Sequence, residues 1–300
     1  MRQECSCATL DTARFHDNRA HGDDSIAIKE IDGYVCAVVA DGISMSGYGA
    51  VASSYATDAV IRTFCSVYGD REASIARNFA YFVESACYEL QAKPQDAPGS
   101  GAETTLSIVV ADPRETMIAE RKSVKCNYFA LGDSPIIVCR EQQSSTRSRN
   151  LAFLAHQVHN RPIVVEEEGI LYSYLDVSNG TIRGVPAIGG FQLFEGDICL
   201  VMTDGVPYDP HIIYDFGEKN SFRFLNTVTT KGASAGAKWL KRFVAQEALA
   251  DDGSLAILRY VAPSEHAPDR AGHVSESVSR SVGSDGQLHK RTDEAAVIST

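Results

Sequence analysis

The chain has 300 residues, 44% of them hydrophobic, which is enough to bury one sizeable core without help from disulfides. Its formal net charge of −11 disfavours a nucleic-acid partner, because phosphate backbones are bound by basic patches and the sequence has no long basic run. No apolar stretch approaches the roughly eighteen residues that span a bilayer, and the N-terminus has no leader-like apolar segment, so we expect a cytoplasmic protein without a membrane partner.

Eight cysteines are scattered along the chain, mostly inside apolar runs, and none forms a CxxC pair. Cysteines that bind zinc usually come in closely spaced pairs. We therefore expect reduced, buried thiols rather than a zinc site.

The first elements along the chain are a hairpin and two helices. Ser25–Ile31 alternates apolar and polar residues, and Tyr34–Ala40 is almost continuously apolar. Asp32-Gly33 between them is typical of a tight hairpin turn. Helical spacing of apolar residues then predicts two amphipathic helices, one after Gly49 and one within Arg71–Leu90.

Strand patterns dominate the middle of the chain and recur near its end. The remaining predicted strands are Thr104–Ala111, Lys125–Leu131, Pro135–Glu141, Asp197–Thr203 and Leu255–Val261. The last predicted helix is Ala235–Leu249. Runs of strands and runs of helices, rather than strict alternation, predict a layered α+β architecture.

Composition divides the chain into a domain and a tail. Residues 1–262 carry all of the predicted elements, and within them 142–190 reads as a polar insertion or flap near a cleft, with weak strands around Pro162–Val165 and Ile170–Leu175. Residues 263–300 are rich in Ser, Gly, His and charge and poor in large apolar groups. Such a segment cannot offset its ordering entropy, so we predict a disordered tail.

Acidic residues lie at the edges of the strand-like runs, as Asp23-Asp24, Asp41-Gly42, Asp204-Gly205 and Asp251-Asp252. Taken singly, each is ordinary turn or helix-cap chemistry. Taken together, they are oxygen ligands placed on rigid strand ends, which is what a hard divalent cation such as Mg²⁺ or Mn²⁺ requires. The pattern therefore favours a metal-dependent enzyme.

These pairs belong to a longer ordered series of motifs. The series is Arg19 with Asp23-Asp24-Ser25, Val39-Ala40-Asp41-Gly42, Gly101 with Thr104-Thr105-Leu106, Leu131-Gly132-Asp133-Ser134, Thr203-Asp204-Gly205, and Asp251-Asp252 with Ser254. In order and spacing it resembles the metal-dependent Ser/Thr protein phosphatases of the 2C type, over roughly Arg14 to Val261.

The resemblance implies a four-layer α/β/β/α fold, in which a central antiparallel β-sandwich is flanked by helices and a metal cleft lies at one edge. It implies a hydrolase that removes phosphate from phosphoserine and phosphothreonine by direct attack of a metal-bridging hydroxide. The implied cofactors are two Mn²⁺ or Mg²⁺ ions per site, with a third, weaker ion. The implied partners are phosphorylated proteins, with a Ser/Thr kinase as a further partner.

The resemblance also assigns roles to particular residues. It implies that Asp41 bridges the two metal ions and is catalytic, that Gly42 contributes its carbonyl oxygen as a ligand, that Asp204 and Asp251 complete the ligands of one ion, and that Asp23 binds the other. It further implies that Asp133 binds the weaker ion, that Asp24 supports the ligands without binding metal directly, and that Arg19 holds the substrate phosphate. A guanidinium is a planar fork suited to phosphate. The alternative for Arg19 is an ordinary surface ion pair.

Several residues depart from the family pattern. Asp23 stands where the family usually has Glu, Pro135 and Asp252 replace a common Arg and a common Asn, and the loop 43–46 lacks the histidine that many members carry. His16 and His21 are candidate substitutes for that histidine. These departures keep open a second hypothesis, a catalytically weak regulatory or phosphoprotein-binding module.

A third hypothesis is a serine hydrolase. Gly232 to Gly236 satisfies the G-x-S-x-G pattern, and Ser234, Asp251 and His266 follow the chain order of α/β-hydrolases. That chemistry requires Ser234 to sit on a sharp turn between a strand and a helix. The small residues are otherwise explained as the opening of a helix.

Overall fold

The structure is a computed structural model that describes residues 8–43, 47–69, 78–92, 94, 98, 100–142, 152–159, 164–165, 170–171, 173–206, 218–246 and 251–261. All of these lie within one contact unit, residues 1–263. The tail predicted at 263–300 and the loop residues 44–46 lie outside the described residues. In the described part, no helix is both long and apolar enough to cross a membrane.

Four helices are described: α1 (Gly49–Gly69), α2 (Phe79–Gln91), α3 (Glu218–Lys231) and α4 (Ala233–Gln246). The strands are β1 (Thr9–Asp17), β2 (Ser25–Ile31), β3 (Tyr34–Ala40), β4 (Glu103–Thr104), β5 (Leu106–Ile118), β6 (Arg121–Leu131), β7 (Ile136–Gln142), β8 (Ala152–His159), β9 (Val164–Val165), β10 (Ile170–Leu171), β11 (Tyr174–Asp176), β12 (Thr181–Arg183), β13 (Ala187–Phe194), β14 (Ile198–Met202) and β15 (Gly253–Val261).

Two five-stranded antiparallel sheets form the centre of the fold. The first sheet has the order β13-β6-β5-β3-β2, and the second has the order β1-β15-β14-β7-β8. The predicted hairpin is confirmed, since Ile31 pairs with Tyr34 across a turn in which Asp32 and Gly33 both have positive φ. That backbone twist matches the twist of the flanking strands.

Strand β3 shows why the centre of the sequence is so apolar. Val35 and Val39 lie in the core between the two sheets, whereas Cys36 and Val38 lie in the core beneath α1 and α2. Because successive side chains point to opposite faces, a strand that is buried on both faces needs apolar residues throughout. Strands β14 and β15 are buried in the same way.

The helices cover the outer faces of the two sheets. Helices α1 and α2 pack on the first sheet through an aromatic cluster in which the rings of Phe64 and Phe82 meet edge to face, with centroids 6.2 Å apart. Helices α3 and α4 pack on the second sheet through residues such as Val228 and Leu240. The predicted four-layer α/β/β/α arrangement is therefore confirmed.

Sequence patterns missed five of the described elements: β1, β8, β12, β13 and α3. Strand β1 lies at the edge of its sheet and buries only Phe15 fully, so its residues show little apolar alternation. Strand β13 is also an edge strand, with Leu193 as its one fully buried residue. Within the segment predicted as a polar insertion, β8 extends the second sheet and β11 pairs with β4.

The cysteines behave as expected where they are described. Six of them, Cys36, Cys65, Cys87, Cys126, Cys139 and Cys199, carry free thiols, and four of these are fully buried. Burial raises the pKa of such a thiol, which keeps it protonated and unreactive.

Candidate metal centre

The acidic residues singled out from the sequence flank strands at one edge of the sandwich. Asp41 follows β3, Asp133 follows β6, Asp204 follows β14, Asp23 and Asp24 precede β2, and Asp251 precedes β15. In antiparallel pairs the end of one strand meets the start of its partner: Ala40 pairs with Ser25, and Met202 pairs with Leu255. The topology therefore gathers these segments at one edge.

A buried hydrogen bond joins the two sheets at this edge. The Thr203 hydroxyl, at the end of β14, donates to Oδ2 of Asp24 at 2.7 Å, and the Thr203 Oγ1 accepts from the backbone N–H of Ser254 at 2.9 Å. Asp24 is only 6% exposed. Burial raises the pKa of Asp24 to about 7, against the lowering effect of the bonds from Thr203 and Ser254.

Asp41 is held in place through its backbone. The backbone N–H of Thr105 and the hydroxyl of Thr104 both donate to the Asp41 carbonyl at 2.8 Å, and the Asp41 N–H donates to the Thr105 hydroxyl at 3.1 Å. This arrangement leaves the carboxylate of Asp41 free to point towards the other acidic residues. The threonines of the sequence motif thus have a structural purpose, which is to position Asp41.

Gly42 and Gly49 allow the loop after Asp41 to lie directly against the start of α1. A Cβ added to Gly42 would lie 2.3 Å from the carbonyl carbon of Gly49, and one added to Gly49 would lie 2.8 Å from the carbonyl carbon of Gly42. No side chain fits at either position. The Gly42 N–H also donates to the Asp23 carbonyl at 3.2 Å, which ties the two acidic loops together.

Mutual repulsion shows that several carboxylates converge. The pKa of Asp41 is raised to about 11, first by burial and then by the charges of Asp204, Asp24 and Asp133. The pKa of Asp133 is raised to about 6, first by burial and then by Asp204. Carboxylates from four segments therefore lie close enough for their charges to add to the effect of burial on Asp24, Asp41 and Asp133.

Such a group of carboxylates fits a divalent cation. Its donors are carboxylate oxygens together with the Gly42 carbonyl of the motif, which is the hard, oxygen-only chemistry that Mg²⁺ and Mn²⁺ take. A cation would also remove the repulsion that raises these pKa values. Within the described residues, however, no three His, Cys, Asp or Glu side chains are arranged so as to hold an ion as they stand.

Asp23 and Asp251 lie at the rim of this group. The Asp23 carboxylate accepts from the Ala50 N–H, in the first turn of α1, at 3.0 Å. Asp251 has a side chain that is 54% exposed, and its Oδ1 lies 3.8 Å from Nε2 of His21. Their roles as metal ligands remain predictions.

Arg19 is engaged elsewhere in the structure. Its guanidinium donates to both carboxylate oxygens of Asp17, at 2.7 and 2.6 Å, and to the Val244 carbonyl of α4 at 3.2 Å. This is the surface ion pair that was the alternative to phosphate binding. These bonds use Nε and Nη2 of the guanidinium, and phosphate binding by Arg19 remains a prediction.

Asp252 organises the loop that carries the first acidic pair, a role that the sequence did not suggest. Its carboxylate, 3% exposed, accepts the consecutive backbone N–H groups of residues 20–23, at 2.9 Å from Ala20, 3.1 Å from His21 and 2.9 Å from Asp23, with Gly22 completing the set. Successive N–H groups around an anion form a nest. The one available signal was the substitution of Asp for the family's Asn.

The serine-hydrolase hypothesis is wrong. Ser234 lies in the first turn of α4, and Gly232 links this helix to α3, so no strand precedes the serine. The small residues instead allow close helix packing, because a Cβ on Gly236 would lie 2.3 Å from Cγ2 of Val228. His266, the third member of the proposed triad, lies outside the described residues.

Comparison with known proteins agrees with this geometry. The family model of protein phosphatase 2C matches residues 14–158, just under half of the chain. The chain has the fold and the N-terminal sequence pattern of the protein phosphatase 2C family. Comparison with curated proteins finds no match.

Three solved structures illustrate the shared fold, each with a TM-score of 0.54. The PP2C phosphatase domain of SpoIIE from Bacillus subtilis, with a fragment of its regulatory domain, is 15% identical over 86% of this chain, which spans 65% of that one. The catalytic domain of the serine threonine phosphatase PstP, in complex with two manganese ions, is 16% identical over 85% of this chain and 99% of its own. The PPM Ser-Thr phosphatase MsPP from Mycobacterium smegmatis, in complex with cacodylate, is 17% identical with the same coverage.

Replacing Asp41 by Asn should stabilise the metal-free protein at neutral pH. Aspartates of an unfolded chain have a pKa of about 3.9. The pKa of Asp41 is raised in the folded protein, so its carboxyl group resists ionisation there. Because the pKa of Asp41 is higher in the folded protein than in the unfolded chain, the folded protein loses stability as pH rises above the unfolded-state value. Asn has no titratable carboxyl group, so the variant does not lose this stability. We expect a melting temperature in EDTA at pH 7.5 that is higher by about 3 °C or more, roughly 1 kcal/mol for a domain of this size.

Thermal unfolding between pH 4.5 and 8 checks this expectation. The gap between the variant and the wild type should narrow as pH falls towards 4. Asp58→Asn, at an exposed position of α1, is the matched control and should leave the melting temperature unchanged. An Asp41→Asn protein that is less stable than the wild type, by a margin that grows with pH, would contradict the repulsion between Asp41 and its neighbouring carboxylates.

Replacing Asp252 by Asn should weaken metal binding even though it restores the common family residue. Asn keeps one acceptor oxygen but turns an NH₂ group towards the N–H donors of residues 20–23, so the loop carrying Asp23 and Asp24 loses its anchor. We expect an apparent Mn²⁺ affinity about tenfold lower or more, as for other residues that orient metal ligands. Calorimetric titration of Mn²⁺ measures this directly, and an unchanged affinity would show that the loop is held by other means.

Proposed function

We propose that this chain is a Mn²⁺- or Mg²⁺-dependent phosphatase that hydrolyses phosphoserine and phosphothreonine in proteins. The observation that carries the proposal is the placement of Asp24, Asp41, Asp133 and Asp204 beside strand ends at one edge of the sandwich, where the strand pairings and the Thr203–Asp24 hydrogen bond gather them. Membership of the fold class supports it, because PstP, which shares this fold, was solved with two manganese ions. The roles of individual residues belong to the same proposal.

Two bound cations would supply the charge that makes water nucleophilic at neutral pH and that neutralises the phosphate in the transition state. Asp41, Asp204 and Asp251, with the Gly42 carbonyl, would hold them, and Asp23 would serve the second ion. Asp133 would serve a further, weaker site. The rigid backbone of Asp41, fixed by Thr104 and Thr105, would keep the ligands in one geometry.

Other residues of the chain support these ligands. Asp24 accepts the Thr203 hydroxyl and so keeps the two sheets in register at the site. Asp252 holds the loop before β2. Proton transfer to the leaving group needs a group at the rim, and His21, with a side chain that is 52% exposed and lies beside Asp251, is better placed than His16, which is bonded to Ser254.

The position of Arg19 favours a second candidate function. Its guanidinium is held by Asp17, and the loop 43–46 has no histidine, so both substrate-handling groups expected of an active phosphatase are in question. A protein with this arrangement could bind phosphoproteins through its metal site with little turnover. This second candidate is a phosphatase-like regulatory module.

We further propose a cytoplasmic location and a Ser/Thr kinase that phosphorylates the substrate. The free thiols of the six described cysteines suit a reducing compartment.

Phosphate release from phosphothreonine peptides tests the proposal. We expect turnover with Mn²⁺ or Mg²⁺, none in EDTA, and a loss of at least about a hundredfold in kcat for Asp41→Asn, because a positioned charge at the reacting centre contributes on this scale. The matched control is Ser54→Ala, at an exposed position of α1, which should retain full activity. Turnover that persists in EDTA would contradict a metal-dependent reaction.

The same samples separate the two candidates. If Mn²⁺ raises the melting temperature of the wild type but not of Asp41→Asn, while neither releases phosphate, the regulatory module is favoured. If Mn²⁺ changes neither stability nor activity, both candidates fail.

A further inference from the structure

Helix α4 and its neighbours carry an unusual concentration of positive charge for a chain with a net charge of −11. Five exposed cations make up this basic face: Arg14 on β1, Arg223 on α3, and Lys238, Lys241 and Arg242 on α4. None of the five forms an ion pair with an acidic side chain in the described part of the protein. The charge is therefore available to a partner.

Two grooves run along α4 between these cations. The first, of about 450 Å³, lies between β1 and α4 and is lined by residues 12–16, Ser234, Ala237, Lys238 and Lys241. The second, of about 520 Å³, lies between α3 and α4, where Arg223 and Arg242 flank the stacked rings of Trp239 and Phe243, whose centroids are 5.4 Å apart.

The first groove is lined on one side by consecutive residues of an edge strand. Strand β1 is the edge strand of its sheet and pairs along its length with β15 on one side only. An edge strand presents backbone N–H and C=O groups that an added strand can use. Residues 12–16 span roughly 13 Å at about 3.3 Å per residue, so the groove accommodates about four residues of an extended segment.

One end of this groove lies at the sandwich edge that carries the acidic residues, because His16 and Asp17 pair with Ser254 and Gly253 at the start of β15. His16, at its end, has Nδ1 2.8 Å from the Ser254 hydroxyl, and Ser254 is bonded through its backbone N–H to Thr203, the residue that donates to Asp24. Arg19, in the following loop, contacts the Val244 carbonyl of α4. A segment lying along β1 would therefore bring residues a few positions away to the acidic cluster.

We propose that the basic face docks an acidic segment of the phosphoprotein substrate, which lies in the groove between β1 and α4. This rests on the proposed phosphatase function and adds a substrate class to it. Charge complementarity favours an acidic occupant, because the positively charged Arg14, Lys238 and Lys241 line the groove. Acidic residues that flank the phosphorylated residue are repelled by the carboxylates of the metal site, and the basic face holds them away from it.

Charge reversal on α4 tests the docking. The variant Lys238→Glu/Lys241→Glu removes the attraction, and its control, Arg62→Glu/Lys125→Glu, makes the same change in net charge at exposed positions of α1 and β6. The first readout is fluorescence anisotropy of an unphosphorylated peptide of alternating Glu and Ser, which measures docking whether or not the protein is an active phosphatase. We expect binding about tenfold weaker for the α4 variant and unchanged for the control.

The second readout is kinetic. With a phosphothreonine peptide that carries an acidic flank, the α4 variant should show a KM about tenfold higher and an unchanged kcat, while both constants for p-nitrophenyl phosphate stay at wild-type values. If the wild type releases no phosphate from any substrate but binds the acidic peptide through α4, the phosphatase proposal fails and the docking stands.

Three results would overturn the docking proposal. The first is equal binding of the acidic peptide by the wild type and the α4 variant. The second is an equal loss in the control variant, which would show that overall charge alone is responsible. The third is tighter binding of a single-stranded oligonucleotide than of the peptide, lost in the same α4 variant, which would show that the face serves nucleic acid.

Discussion

Repulsion among carboxylates at one edge of the sandwich is the constraint on which the rest of the structure depends. Burial first, and then the charge of Asp204, raise the pKa values of Asp41 and Asp133, an arrangement that costs stability until a cation joins it. The remainder of the fold has to offset that cost. Its means are the apolar cores on both faces of β3, β14 and β15, where nearly every side chain is buried.

Most of the precision at the site comes from the backbone. Thr104 and Thr105 fix the carbonyl and N–H of Asp41, Gly42 and Gly49 allow two loops to touch, and Asp252 collects the N–H groups of a loop. Each of these contacts positions main chain, and none of them uses the carboxylate of Asp41. The acidic side chains can therefore adjust to a cation while their anchors stay in place.

The sequence predicted the buried parts of this architecture better than its edges. Strand β3 and the hairpin with β2 were readable because burial on two faces produces a continuous apolar run and Asp32-Gly33 permits only a tight turn. Edge strand β1 could not be predicted, because it has only one fully buried residue and so shows no alternation of apolar and polar residues. The bond between Asp252 and residues 20–23 spans more than 220 positions, and only the assembled fold brings these groups together. For Arg19 the sequence left a phosphate site and a surface ion pair as alternatives, and only the fold shows that the guanidinium donates to Asp17.

Electrostatics divides the work of this protein between two surfaces. A phosphate monoester carries the same sign of charge as the acidic cluster, so the cluster repels it until cations reverse the local potential. In the proposed function, a protein with a net charge of −11 gains from a separate basic surface that attracts the acidic flank of a phosphoprotein. In the proposed docking, the cations of α4 supply that attraction along a groove whose lining includes His16, near the end of β1 beside Ser254. The two charges are then kept on separate surfaces, so the basic face does not have to neutralise the carboxylates that the proposed function assigns to metal.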